Sequence, residues 1–175
     1  MDNRFKELDN FTPSEKYLEL ISISERRKIE LNLVGFNYWK LSRQKLREKF
    51  GFELHHIIPN YRQKDKPSSE RNAPDNIAVL TVREHIVAHK ELADFEAGFF
   101  KYKAQAAFLL QTNRAVEYLE SVELSEDVLD SLEKSRLSYY GSTEHIQGSK
   151  KAGNIAGLKR KERMENDAEF RILVS

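Results

Sequence analysis

The stretch that decides the fold reads Phe52-Glu53-Leu54-His55-His56-Ile57-Ile58-Pro59 and, after a polar loop, Asp75-Asn76-Ile77-Ala78-Val79-Leu80-Thr81-Val82-Arg83-Glu84-His85-Ile86-Val87-Ala88-His89. Phe52 to Ile58 predicts a short strand and Asn76 to Leu80 a second, apolar one. Thr81 and Glu84 take the cap and third positions of a capping box, which predicts a helix running from there towards Ala97. The segment Pro59 to Pro74 between the strands holds three prolines, two serines and mixed charge. A structureless stretch of that length in a compact domain is usually functional or disordered.

Four of the five histidines fall inside this region, and Asn76 lies between the two pairs. Helix positions four apart share a face, so His85 and His89 can aim their imidazoles at one ion. Adjacent strand residues point to opposite sides, so His55 and His56 cannot do the same job. One of them can join the helical pair as a ligand while its neighbour stays free for proton transfer.

Outward from this centre the pattern is helical. Thr12-Pro13-Ser14-Glu15 suggests a Thr12 cap and a helix from about Pro13 to Leu33. After Gly35, Phe36 to Phe50 predicts a basic amphipathic helix that ends at Gly51. Downstream, the Ala-rich segment Phe99 to Glu120 offers Phe100, Ala104, Ala107, Phe108, Leu110 and Ala115 for packing. Ser125 caps a last helix to about Tyr140, carrying Val128, Leu129, Leu132 and Leu137. The expected organisation is a helical region 1–51, a hairpin-helix core 52–97, a helical packing region 98–141 and a basic extension 142–175. The fold class is α+β, mostly helical.

Composition narrows the function. Hydrophobic residues at 39% and charged residues at 33% suit one polar globular domain in 175 residues. The absence of cysteine excludes a disulfide scaffold, a thiol nucleophile and any thiolate-held zinc, so a metal must sit on His, Asp, Glu or Asn. No apolar run reaches membrane-spanning length and no secretory leader is visible, so the expectation is a cytoplasmic protein with no membrane partner. The 29 Lys and Arg nearly cancel the 28 Asp and Glu. Locally they do not: Lys40, Arg43, Lys45, Arg47 and Lys49 face only Glu48, and Lys150, Lys151, Lys159, Arg160, Lys161 and Arg163 face only Glu162. Such stretches suit phosphate neutralisation on nucleic acid, or are solvated helix faces.

The order His55-His56, Asn76, His85 and His89, with Ile57-Ile58-Pro59 and Asn76 to Thr81 around it, resembles the HNH motif of the ββα-metal endonucleases. It is most like the phage-encoded HNH homing endonucleases and is also similar to the colicin-type DNases. The match is close over roughly Phe52 to Leu92. Weaker likeness lies in Tyr17 to Ile21 and in the tail from Lys151-Ala152-Gly153 to Phe170-Arg171.

The resemblance implies a hairpin and helix clasping one divalent metal ion, Mg, Mn, Zn or Ni, and hydrolysis of double-stranded DNA to 5′-phosphate and 3′-hydroxyl ends. By position it makes His56 the general base and His55, His85 and His89 the metal ligands. Asn76 becomes the residue that holds the hairpin and helps orient the base, with ligation of the metal, as in another branch of the family, the alternative. Arg83, in the first helical turn, is a candidate for the scissile phosphate. Lys40, Arg43, Arg47, Lys150, Lys151, Lys159, Arg160 and Lys161 are candidate DNA contacts. The implied protein acts as a monomer or weak dimer in the cytoplasm of a phage-infected bacterial host. Two other readings stand beside the homing enzyme: a non-specific toxin-like or host-degrading DNase, and a non-catalytic DNA-binding module. Two features depart from the family: Asn60 to Pro74 lacks the usual Gly-Gly turn, and there are no paired cysteines for a structural zinc. Among the neighbours, Tyr17 and Trp39 read as core, Glu84 as the capping partner and His145 as an ordinary surface residue. Glu53 reads as exposed strand charge, with a partner role to an imidazole as the alternative.

Overall fold

The computed structural model describes residues 5, 11–36, 51–118, 124–140, 145–147 and 149–150. The elements in order are α1 (Glu15–Glu30), β1 (Phe52–His56), a 3-10 turn (Asn60–Arg62), α2 (Ser68–Arg71), a second 3-10 turn (Pro74–Asn76), β2 (Ile77–Thr81), α3 (Val82–Phe95), α4 (Gly98–Tyr118) and α5 (Glu126–Tyr140). Among the described residues the result is a mostly helical arrangement around one two-stranded antiparallel sheet. The basic helix expected over 36–50, with Trp39, lies outside the described residues apart from Phe36.

Ser14, not Thr12, caps α1: its Oγ accepts from Tyr17 N at 3.1 Å. Pro13 is buried ahead of the helix rather than placed in its first turn, which moves the cap two residues downstream of the expected one. The other end closes when Asn32 adopts φ 54° and Leu33 N donates to Lys28 O at 2.7 Å, a six-to-one Schellman bond.

β1 pairs with β2 in the register Phe52↔Thr81, Leu54↔Val79 and His56↔Ile77. Strand alternation then sorts the side chains. Ala78 and Leu80 join the main core, with Tyr17, Leu20 and Ile21 of α1, Ile86 and Leu92 of α3, and Ala104 and Phe108 of α4. Ile77 and Val79 point the other way and pack with Leu33, Phe52 and Leu54. β2 is thus buried on both faces, which is why it reads as an unbroken apolar run.

Helix α1 also covers the outer edge of β2. Val79 N donates to Ser24 Oγ at 2.7 Å, and Arg27 Nη1 donates to Val79 O at 2.8 Å. Arg27 continues into a two-pronged pair with Glu84, at 2.7 and 2.9 Å. Glu84 completes the expected capping box with Thr81 at the start of α3. One carboxylate therefore caps α3 and ties it to α1.

The segment between the strands is not structureless. Pro59 and Pro67 stand immediately before a helical turn and Pro74 begins one. A ring-fixed φ near −65° suits helix starts, so the prolines build this segment as three short turns. Gln63 Nε2 adds a bond to Ile58 O at 2.6 Å.

In α4, Ala104 and Phe108 are buried as expected, whereas Leu110 is 52% exposed. In α5, Val128 packs in, but Leu129 and Leu137 face outward. The chain divides into two units, Met1–Arg136 and Leu137–Ser175, so the division falls inside α5. Within the second unit, the His145 ring lies 4.6 Å from Tyr139 and 5.0 Å from Tyr140, between centroids, and is more than a bare surface residue. Among the described residues, no helix is long and apolar enough to cross a membrane.

Candidate metal centre

His55 sits on the face of β1 that turns towards α3, and its ring centroid lies 5.1 Å from that of His85 and 4.9 Å from that of His89. One nitrogen from each of the three rings falls within 4.8 Å of the others. His85 and His89 meet through the one-turn spacing on α3, and their Nε2 atoms stand 3.1 Å apart. Two imidazole nitrogens bound tetrahedrally at about 2.0–2.1 Å from one ion are roughly 3.3 Å apart, so the pair has the spacing of ligands.

Neighbours set which nitrogen each ring offers. The Tyr17 hydroxyl donates to Ile57 O at 2.8 Å, so it accepts at 2.9 Å from Nε2–H of His55 and leaves that ring's Nδ1 with the lone pair. Glu53 Oε2 accepts from His85 Nδ1–H at 2.6 Å, leaving His85 Nε2 open. The same oxygen accepts from Gln111 Nε2 of α4 at 2.5 Å. Burial first, then the neighbouring histidines, push His55 and His89 well below the usual imidazole pKa of 6.5. Both rings are therefore neutral near pH 7, the state a metal requires. A closed set of imidazoles backed by a carboxylate is chemistry that fits a divalent transition ion.

Glu53 corrects the expectation of exposed strand charge. It is buried because, two residues from His55, it shares that residue's side of the strand. Tyr17 is core, as expected, and its hydroxyl also touches the site. Gln111, Asn72 and Asn60 are partners that the sequence reading did not name.

His56 points to the other side of the strand and is half-buried. It lines, with the three other histidines, an open cavity of about 340 Å³ that Leu92 of α3 and Ala107 and Leu110 of α4 also line. Its Nε2 lies 3.0 Å from Asn72 Oδ1, and Asn60 Nδ2 lies 3.4 Å from its Nδ1. Asn76 bonds elsewhere. Its Oδ1 accepts from Ile58 N at 2.8 Å, and its Nδ2 donates to Arg71 O at 2.8 Å and to Ile58 O at 3.4 Å. It braces the hairpin loop, the structural half of its expected role, while His56 is held by Asn72.

Arg83 is exposed and does not line the cavity. At about 100° per residue it lies roughly 160° around α3 from His85, so its helical phase carries it away from the histidines. Among the described residues, no Lys or Arg lines the cavity. Of the expected DNA contacts, Lys150 is exposed in the second unit. Lys40, Arg43, Arg47, Lys151, Lys159, Arg160 and Lys161 lie outside the described residues. Comparison of the chain with protein-family models, with curated proteins and with solved structures finds no match.

Proposed function

We propose that this chain is a metal-dependent DNA endonuclease of the ββα-metal, HNH kind, most like the phage homing type. The observation that carries the reading is the convergence of His55, His85 and His89 beside a cavity that His56 also lines from the opposite strand face. The three convergent imidazoles would hold one divalent ion, Mg, Mn, Zn or Ni, and an imidazole set favours the last two by ligand softness. When bound, such an ion supplies Lewis-acid stabilisation of the phosphate charge and of the departing 3′-oxygen.

The residues around it divide the remaining work. Glu53 and Tyr17 fix the ligand rings, so little ordering is left for the moment of binding. His56 accepts the proton of the attacking water at Nδ1, the water taking the place of the long 3.4 Å contact from Asn60 Nδ2, since Nε2 carries the hydrogen given to Asn72. The phosphodiester then breaks to leave a 5′-phosphate and a 3′-hydroxyl. The basic stretches at 40–49 and 150–163 would neutralise flanking phosphates of the duplex and make binding salt-dependent.

Conversion of supercoiled plasmid tests the reading, with Mg, Mn, Ni or Zn added to metal-stripped protein beside an EDTA control and His56→Ala. Nicked or linear product that needs both metal and His56 is expected, and discrete rather than smeared fragments mark the homing type over a non-specific DNase. Folded protein that binds DNA but cuts neither plasmid nor phage genomic DNA under any of the four metals would refute the nuclease and leave a binding module.

A further inference from the structure

The geometry points to Asn72 as the residue that positions His56, fixing its Nε2–H tautomer and turning Nδ1 into the cavity. Four observations converge on it. Asn72 Oδ1 lies 3.0 Å from His56 Nε2, and an amide oxygen can only accept, so the hydrogen is on Nε2. The amide cannot turn freely, because its Nδ2 donates to Ser68 Oγ at 2.9 Å. The backbone is tied at the same place, with Asn72 N donating to Ser68 O at 3.0 Å across the one turn of α2. At the opposite side of the ring, Asn60 Nδ2 faces Nδ1 at 3.4 Å, a donor set against the nitrogen left with the lone pair. Both asparagines thus read the same tautomer from opposite ends.

This divides the orienting role expected of Asn76 between two residues of one loop. Asn76 holds Arg71 O, one residue before Asn72, and so braces the turn from which Asn72 reaches the ring. Asn72 is a positioning residue that acts through His56. The part of the inference that concerns rate rests on the nuclease reading; the part that concerns the tautomer does not.

Two substitutions separate the possibilities. Asn72→Leu keeps the approximate shape and removes the acceptor, whereas Asn72→Asp keeps an acceptor at the same reach. In protein with ¹⁵N-labelled histidine, long-range ¹H–¹⁵N correlations at one fixed pH should show His56 protonated at Nε2, with that proton protected from exchange. The protection should vanish in Asn72→Leu and persist in Asn72→Asp, while the His85 signals stay in place. In plasmid cleavage, Asn72→Leu should lower kcat roughly ten- to a hundredfold, the scale of a misoriented reacting group, with DNA affinity unchanged and most of the rate regained in Asn72→Asp. His56 protonated at Nδ1 in the unsubstituted protein would overturn the proposal. So would an Asn72→Leu protein whose His56 signals and rate match the unsubstituted chain. If the histidine signals follow the expected pattern and no DNA is cut, the positioning stands and the nuclease reading fails.

Discussion

Replacing Tyr17 by Phe removes one oxygen atom and tests how far the metal centre depends on α1. The ring stays, and with it the edge contacts to His55 and Phe95, both at 5.8 Å between centroids. What is lost is the acceptor for His55 Nε2–H at 2.9 Å and the donor to Ile57 O at 2.8 Å. Tyr17, His55 and Ile57 are 0%, 2% and 0% exposed, so water cannot readily replace the hydroxyl. Two orphaned polar groups at about 1–2 kcal/mol each give a loss of about 3 kcal/mol. In a chain of this size that is a fall in Tm of roughly 6–12 °C. A second effect is separate: with Nε2–H unheld, His55 is free to present either nitrogen, and metal affinity should weaken about ten- to a hundredfold. Thermal melts of metal-free protein followed by circular dichroism measure the first effect, and calorimetric titration with Zn measures the second. A Tyr17→Phe protein that melts within about 2 °C of the original, well under the shift that loss of two buried bonds implies, and binds Zn equally well would refute the reasoning.

Three further outcomes follow from the same geometry. Glu53→Gln should lower Zn affinity about ten- to a hundredfold by exchanging the charged acceptor of His85 Nδ1–H for a neutral amide, read by the same titration. A divalent ion at about 100 times its Kd should stabilise the chain by about 2.7 kcal/mol in urea unfolding, and His89→Ala should abolish the gain. Burial acts to raise the pKa of Glu84, but hydrogen bonds from Arg27 and Thr81 outweigh it and hold the group below its ordinary 4.5. A depressed carboxyl contributes fully above the unfolded pKa and loses its contribution as pH falls from about 4.5 through the lower folded value. Urea midpoints measured down that acid limb should therefore fall less steeply in Glu84→Gln than in the original chain.

The hairpin and the helix were legible because each carries a local signal: an apolar run, strand alternation, and a capping box that the structure contains atom for atom. The meeting of three histidines was legible too, since one-turn spacing on α3 and strand parity at His55 are local geometry. The same arithmetic bears on two further residues. Glu53 shares parity with His55 and so is buried with it, and Arg83 is out of phase with His85 on the helix. The loop between the strands is polar, which suggests irregular chain, but its structure is written in its prolines, each of which starts or precedes a helical turn. Tyr17, Gln111 and Asn72 are a different matter. They reach the histidine cluster or its bound carboxylate across 38, 58 and 16 residues of sequence. Tertiary packing of α1, α4 and α2 decides those contacts, and no periodicity within a single segment announces them.

The bonds from Ser24 and Arg27 to Val79 have a consequence for how copies of this protein can meet. A two-stranded ribbon ordinarily exposes main-chain donors and acceptors to which a strand of another molecule can add, the route to strand exchange and fibrous stacking. Here the centre of β2 already has both groups occupied by side chains of one helix, and Ser24 is 0% exposed. A foreign strand could join there only by first stripping α1 away. Growth of the sheet from molecule to molecule is thus obstructed at Val79, and that obstruction comes from a serine and an arginine rather than from the prolines or bulges that guard many sheet edges.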